Sequence, residues 1–395
     1  MKACGTILKG EKMKRLLLQG VVFSLSMGLY AAPLGLPEVP IPQDNPQTSE
    51  KVSLGDALYH DPRFSADGKV SCATCHAREK AFTDHLPVSK GFTDAKGTRT
   101  GTRNAPTVIN AAYYTSQFWD GRVPSLEEQS KLPPINPVEG GLHSWDDLIT
   151  ILKADDYYKQ AFSEVFHISP SEITIDHFAK AVASFERTVV SGNSKFDRFM
   201  YAGEKNALSQ QEKRGLEVFL NQGRCVSCHT ISQTHAIFTN NQFHNIGVGF
   251  KALKGKEFEV ASEYIQKLAE EKEGVQHKNT ENLAADEMVL QVKRFSELGR
   301  LAITNEGDDM GAFKTVTLRN IAKTAPYMHD GSLKTLEEVV AWYNFGGKLS
   351  EDGQSTPFLD GGIKPLNLNN EQMADLVSFL KALTSPEFEN VKDAQ

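Results

Sequence analysis

Two short stretches constrain this chain more than any other feature: Cys72-Ala73-Thr74-Cys75-His76 and Cys225-Val226-Ser227-Cys228-His229. Each reads Cys-x-x-Cys-His. Two cysteines at this spacing reach both vinyl groups of one porphyrin and form thioethers, and the histidine that follows then lies under the iron as a nitrogen ligand. On this reading two covalently bound c-type haems share the chain, with His76 and His229 as iron ligands. What lies on the open face of each haem then decides function. Two other readings of the four cysteines stay open at this level. Paired Cys-x-x-Cys motifs hold zinc in some proteins and act as redox dithiols in others. Neither explains the histidine directly after each pair.

The compartment follows from the N-terminus. Lys9, Lys12, Lys14 and Arg15 precede an apolar run from Leu16 to Ala32 that ends in small residues. This is the pattern of a cleaved secretory signal over residues 1–32, and an uncleaved anchor is the competing reading. Haem attachment to such motifs fits export to a periplasm-like compartment. The fifth cysteine, Cys4, lies ahead of the run. A formal net charge of -7 argues against a general nucleic-acid binder.

At 395 residues the chain is long enough for two domains with full cores. Residues 33–48 read as an extended, Pro-rich lead-in. Helical spacing marks 49–59, 145–152, 157–166, 175–190, 210–220 and 371–383. Residues 77–103 are rich in Gly, Thr and Lys and read as loop. Strand signals are few, so the class is mostly α. Residues 251–296 are dense in Lys and Glu, with Phe258, Ala261, Ile265 and Leu268 at helical spacing. They read as a solvated helical insertion, with a partner-docking element as the alternative.

An internal repeat assigns different roles to the two halves. Arg103-Asn104, Asp120-Gly121 and Leu126-Glu127-Glu128 follow the first motif. Arg319-Asn320, Asp330-Gly331 and Leu336-Glu337-Glu338 follow the second. The expectation is two haem domains copied from one plan, over 49–205 and 206–390, with 251–296 inserted in the second. The residue seven after Leu336 is Tyr343, and the residue seven after Leu126 is Pro133. A phenolate ligates ferric iron, whereas proline offers no side-chain ligand. The second haem is therefore expected to be six-coordinate and the first to have an open iron able to bind peroxide. Met328 competes with Tyr343 as the second axial ligand, and a core aromatic is the plain alternative for Tyr343.

Several motifs resemble the bacterial diheme cytochrome c peroxidase family, which includes the MauG-type enzymes. They are Arg103-Asn104-Ala105-Pro106-Thr107, Phe118-Trp119-Asp120-Gly121-Arg122, Leu126-Glu127-Glu128-Gln129, and Thr317-Leu318-Arg319-Asn320 with Thr324 to Gly331. The likeness covers roughly residues 50–385. It implies two cytochrome c-like helical domains with a haem each. It also implies His76 as the ligand of the peroxide-reacting haem, Glu139 and Gln129 as distal groups, and Trp119 as the residue between the haems. Asn104, Thr324 and Pro326 match the surroundings of the family's inter-haem calcium ion, and their oxygens suit a hard cation. Glu139 would move a proton between the peroxide oxygens. A surface position for Glu139 and core packing for Trp119 are the plain alternatives.

The chain departs from the family's pattern in two places. Many members keep a histidine after the first motif that closes the iron, but the histidine here, His85, is displaced from the usual place. Tyr343 stands where those peroxidases have methionine, as in the MauG-type branch, and a phenolate lowers haem potential where methionine raises it. The expected function is a periplasmic diheme peroxidase that reduces hydrogen peroxide with electrons from a donor such as a small cytochrome c or cupredoxin. A homodimer is compatible with it. One alternative is oxidation of a partner protein. The absence of a tryptophan at Gly223, just before the second motif, weighs against that. A second alternative is an electron carrier or peroxide sensor with both irons closed.

Overall fold

The computed structural model describes residues 32–253, 255–274, 288–348 and 353–392. The signal-sequence expectation for 1–32 falls, apart from Ala32, outside the described residues. Among the described residues no helix is long and apolar enough to cross a membrane.

Helices dominate, with two small antiparallel sheets. In the first half, α1 (Ser49–His60) leads to α2 (Cys72–Cys75), which carries the first motif. A hairpin of β1 (Lys90–Asp94) and β2 (Gly97–Thr100) follows. Then come α3 (Leu126–Ser130), α4 (Trp145–Ala154), α5 (Asp156–Phe166) and α6 (Ile175–Glu186). Local chemistry sets the helix starts. Ser144 and Ser194 accept from the backbone N–H three residues on, and Asp147 and Asp197 reach back to the cap N–H. After α7 (Lys195–Tyr201), the second half opens with α8 (Gln210–Leu220), capped in the same way by Ser209 and Glu212.

Each half is built on one helix crossing. α1 packs on α6, and α8 packs on the terminal helix Asn370–Lys381. Glycine permits both crossings. A Cβ at Gly55 would collide with the Ala181 carbonyl and press on Phe185, and one at Gly215 would collide with the Asp375 carbonyl and press on Phe379. Apolar side chains close the space around each crossing. Leu54, Leu58, Phe178 and Val182 do so in the first half, and Leu216, Phe219, Leu376 and Phe379 in the second.

The halves also match beyond these helices, at one constant offset. Asn110 and Asn320 are both left-handed and open a short 3-10 turn. Gln117 pairs with Val123 and Tyr327 with Leu333. Phe118 and Met328 both have positive φ, and Ser125 and Thr335 cap equivalent helices. This register corrects one sequence expectation. Asn320 corresponds to Asn110, and the pairing of Arg103-Asn104 with Arg319-Asn320 is a slip of six positions. The position equivalent to Asn104 is Lys314.

Three other expectations need correction. Residues 77–103 contain the β1–β2 hairpin; its residues lack apolar alternation because the strands are largely exposed. α6 ends at Glu186 instead of Val190, with Arg187 as its cap. The insertion is helical over α10 (Glu257–Gly274) after the short α9 (Phe250–Leu253), but it is not a solvated excursion. Val260, Ala261, Tyr264 and Leu268 build a core with Val289, Phe295, Leu298 and Met310. Of the residues noted at helical spacing, Ala261 and Leu268 are buried while Phe258 and Ile265 are exposed, because the buried face is rotated toward Tyr264.

From Ala32 onward the chain forms one compact unit. The lead-in contributes to it. The Gly35 carbonyl accepts from Arg319, which also grips Asp197 with two hydrogen bonds of 2.8 Å, and the Pro37 carbonyl accepts from Tyr113.

Candidate functional site

Two cavities among the described residues bear on function. Cys72, Cys75 and His76 line the first, and Cys225, Cys228 and His229 line the second. The cysteine pairs therefore face different spaces, which rules out a single zinc site built from all four. No group of three or more His, Cys, Asp or Glu residues is placed to hold a metal among the described residues.

Both histidines are prepared in the same way. His76 Nδ1 lies 3.2 Å from the Phe82 carbonyl, and His229 Nδ1 lies 2.9 Å from the Phe238 carbonyl. A carbonyl can only accept, so the proton sits on Nδ1 and the lone pair on Nε2. Burial lowers the pKa of both, that of His229 to about 4, which keeps the rings neutral. A neutral imidazole with an oriented Nδ1–H is the form that ligates a metal. The Tyr59 hydroxyl donates to the His76 carbonyl and steadies the first motif from α1.

Gln129, Pro133 and Glu139 all line the first cavity. The turn that carries Glu139 folds back onto the prolines, with Gly140 N–H donating to the Pro133 carbonyl at 3.0 Å. β1 holds the turn from outside, as Phe92 N–H donates to the Glu139 carbonyl at 2.8 Å. The Glu139 charge acts on Cys75, whose thiol is pushed up to about 12, first by burial and then by this carboxylate. Tyr343 lines the second cavity at the position equivalent to Pro133. Its hydroxyl makes no hydrogen bond to the described residues, and burial raises its pKa well above the usual phenol range. Met328 and Gly223 line the same cavity. His85 does not line the first cavity; its Nε2 lies 3.0 Å from the Lys323 carbonyl.

Trp119 stands in the wall common to both cavities, with Asn104, Tyr114 and Lys314 beside it. Its Nε1 donates to the Asn104 carbonyl at 2.8 Å. The wall is stitched reciprocally: Asn104 N–H donates to the His329 carbonyl at 2.7 Å, and Lys314 N–H donates to the Trp119 carbonyl at 2.8 Å. The two donors occupy equivalent positions, and so do the two acceptors. Asn104, Thr324 and Pro326 all line the second cavity. The Asn104 amide nitrogen donates to the Leu86 carbonyl, and the Thr324 hydroxyl donates to the Ile321 carbonyl.

A family model for di-haem cytochrome c peroxidases matches residues 49–206. Cytochrome-c peroxidase IdrP1 of Denitromonas iodatirespirans is 34% identical over 363 residues, 90% of this chain and 87% of the relative. The chain belongs to the di-haem cytochrome c peroxidase family. The methylamine utilization protein MauG of Methylorubrum extorquens is 34% identical over 87% of this chain and 81% of its own length. Among solved structures, a MauG-like protein associated with microbial copper homeostasis superposes with a TM-score of 0.69 at 29% identity, covering 91% of this chain and 98% of that one.

Family membership implies two haems. The residues present fit them: each cavity has a neutral, oriented histidine beside its cysteine pair, and its lining is mainly apolar.

Sequence reasoning missed several cavity residues. Glu186 lines the first cavity, fully buried, and burial raises its pKa to about 8. The available signal was a carboxylate continuing the Phe178–Val182 face of α6 at the same spacing. His244, 2.7 Å from Asp360, lines the second cavity, and nothing in its sequence context marks it. Leu290, from the far end of the insertion, lines the first cavity, and Arg103 is held by Ser296. The insertion thus helps wall the first site.

Proposed function

We propose that this protein reduces hydrogen peroxide to water in the first cavity, with electrons relayed through the second from an external donor. The chain is an oxidoreductase of the cytochrome c peroxidase type, with peroxide as acceptor. One observation carries the division of labour: Pro133 lines the first cavity where Tyr343 lines the second. Proline would offer no side-chain ligand to a haem that His76 would hold. The Tyr343 hydroxyl, lacking a hydrogen-bond partner among the described residues, is available to a haem bound to His229. Cys72 and Cys75 would attach the first haem, and Cys225 and Cys228 the second.

The haems, when bound, supply the redox centre at which peroxide takes up two electrons. This chain's residues manage the rest. Reduction of peroxide to two waters consumes two protons and two electrons. Glu139 accepts a proton from the near oxygen of peroxide and returns it to the far one, so that the far oxygen leaves as water. Gln129 orients peroxide by hydrogen bonding, and the apolar lining limits bulk water. Trp119, in contact with both cavities, is the bridge between them. Asn104, Thr324 and the Pro326 carbonyl would hold a calcium ion at this junction, where water would complete the coordination shell. The lobes 49–205 and 206–390 are read as copies of one plan, supported by their matched turns, caps and glycine crossings. The N-terminal run supports a periplasmic location, where a small cytochrome c or cupredoxin would be the donor.

A second reading is oxidation of a partner protein. Tyr343 favours it, because a phenolate ligand disfavours the reduced haem that a cytochrome donor would fill. Gly223, buried just before the second motif where no tryptophan stands, speaks against it.

Electron paramagnetic resonance of the ferric protein tests the main reading. One high-spin and one low-spin haem, both bleached by peroxide, are expected. Two low-spin haems indifferent to peroxide would overturn it in favour of a carrier. Tyr343→Met should raise the reduction potential of the low-spin haem.

A further inference from the structure

Lys314 is the one residue in the wall common to both cavities whose charge peroxide reduction leaves without a role. It lies on β4 (Phe313–Lys314), which pairs with β3 (Phe243–His244). The residue is 6% exposed. Its Nζ donates to the Ser116 carbonyl at 2.8 Å and sits 4.1 Å from the centre of the Tyr114 ring. The ring is itself pinned, its hydroxyl accepting from Thr317 N–H at 2.9 Å. Lys314 forms no ion pair with a carboxylate among the described residues. The carboxylate whose field reaches it, Asp120, is already bound by Arg103 and Arg122.

This arrangement is incomplete as it stands. An ammonium has three donors, and here one carbonyl and one aromatic face serve them. Taking a cation out of water without an anion is costly, and burial pulls the lysine down to about 7 even against the raising field of Asp120. The backbone N–H, bonded to the Trp119 carbonyl, holds the residue in the wall. The remaining direction is toward the cavities, which it lines on both sides of the wall.

We propose that Lys314 is a cofactor anchor, its ammonium binding a propionate carboxylate of a haem at the junction of the two cavities. This rests on the reading that haems occupy both cavities. The carboxylate chemistry is common to the two haems, and the one whose spectrum responds to substitution of Lys314 is the one bound. The anchor also places a positive charge beside Trp119, where it favours an electron on the haem it binds.

Lys314→Met and Lys314→Arg are made in the full chain, and attached haem is counted in each. Resonance Raman then reads the propionate bending bands, and spectroelectrochemical titration reads each haem. In Lys314→Met the propionate bands of one haem shift, and its reduction equilibrium falls about tenfold, or ~59 mV for a one-electron couple. Lys314→Arg keeps the charge, so its potential stays near that of the parent while the propionate band moves with the new hydrogen-bond geometry. Two haems with unshifted bands and potentials in Lys314→Met overturn the anchor. Should that variant fail to accumulate, unshifted bands in Lys314→Arg overturn it instead. A parent protein without attached haem overturns the underlying reading.

Discussion

Glu139 and Glu186 face one cavity from opposite kinds of support. Glu139 sits on a turn braced by β1 and by Pro133, which fixes where its carboxylate can go. Glu139→Gln keeps the shape and removes the proton carrier, so peroxide turnover should fall by about 10²–10⁴-fold with both haems still attached. Stopped-flow peroxide kinetics would measure this, and parent-like rates would remove Glu139 from the proton path. Glu186 is buried, its Oε2 has no hydrogen-bond partner among the described residues, and burial raises its pKa from 4.5 to about 8. A raised carboxyl pKa means that the folded state holds the proton more tightly. Its stabilising contribution is complete below the unfolded value of 4.5 and is lost as pH climbs through about 8. Thermal unfolding at about pH 5 and about pH 9 should therefore differ more in the parent than in Glu186→Gln. The difference should reach a few kcal/mol, since each tenfold gain in proton affinity on folding is worth ~1.4 kcal/mol. Equal pH profiles would mean that Glu186 finds a partner in the folded protein.

The helix crossings depend on two glycines. Gly55→Ala and Gly215→Ala each push a methyl group into a backbone carbonyl of the facing helix, and overpacking of this kind costs ~1–3 kcal/mol. Gly361→Ala, which meets nothing, should be silent. Urea unfolding of the three variants checks this; a silent Gly55→Ala would show that the α1–α6 crossing has room to spread. At this scale the helices were legible in the sequence because caps and apolar spacing are local. The helix read over 210–220 is one example, and in the structure Ser209 and Glu212 cap its start. The β1–β2 hairpin was not, since its strands are held by their partner and by Asp67, which accepts from Thr93 N–H, rather than by an apolar stripe. On α10, residue type does not show which face is buried, since Phe258 is apolar yet exposed. Tyr264, half polar by composition, is the buried centre, and its hydroxyl donates to the Ala302 carbonyl.

Across the whole molecule, the reciprocal bonds Asn104 to His329 and Lys314 to Trp119 join the two cavities through one thin wall. Trp119 touches both spaces, so Trp119→Phe should slow transfer between the haems by more than about tenfold while peroxide still reacts at the first. Rapid-mixing spectra would show the first haem bleaching ahead of the second. Simultaneous bleaching would place the route elsewhere in the wall. Arg319 adds a second tie, since its guanidinium bonds the lead-in at Gly35, α7 at Asp197 and the second half at Ala236. The lead-in, read from sequence as a mere approach, is therefore part of the packed unit.

The order of residues alone established that a Cys-x-x-Cys-His motif stands at Cys72–His76 and again at Cys225–His229, and that a proline and a tyrosine stand at matching places after them. Those properties live in short spacings, where a few residues dictate what can bind. Only the tertiary structure decided which residues share a wall. Lys314 and Leu290 reach the cavities through contacts across long stretches of chain, and no neighbouring residue marks them, whereas Glu186 shows in sequence only as a carboxylate on the apolar face of α6. The reason is physical: a short motif needs only neighbours in sequence, whereas a cavity wall is made wherever helices and strands are close enough to exclude water.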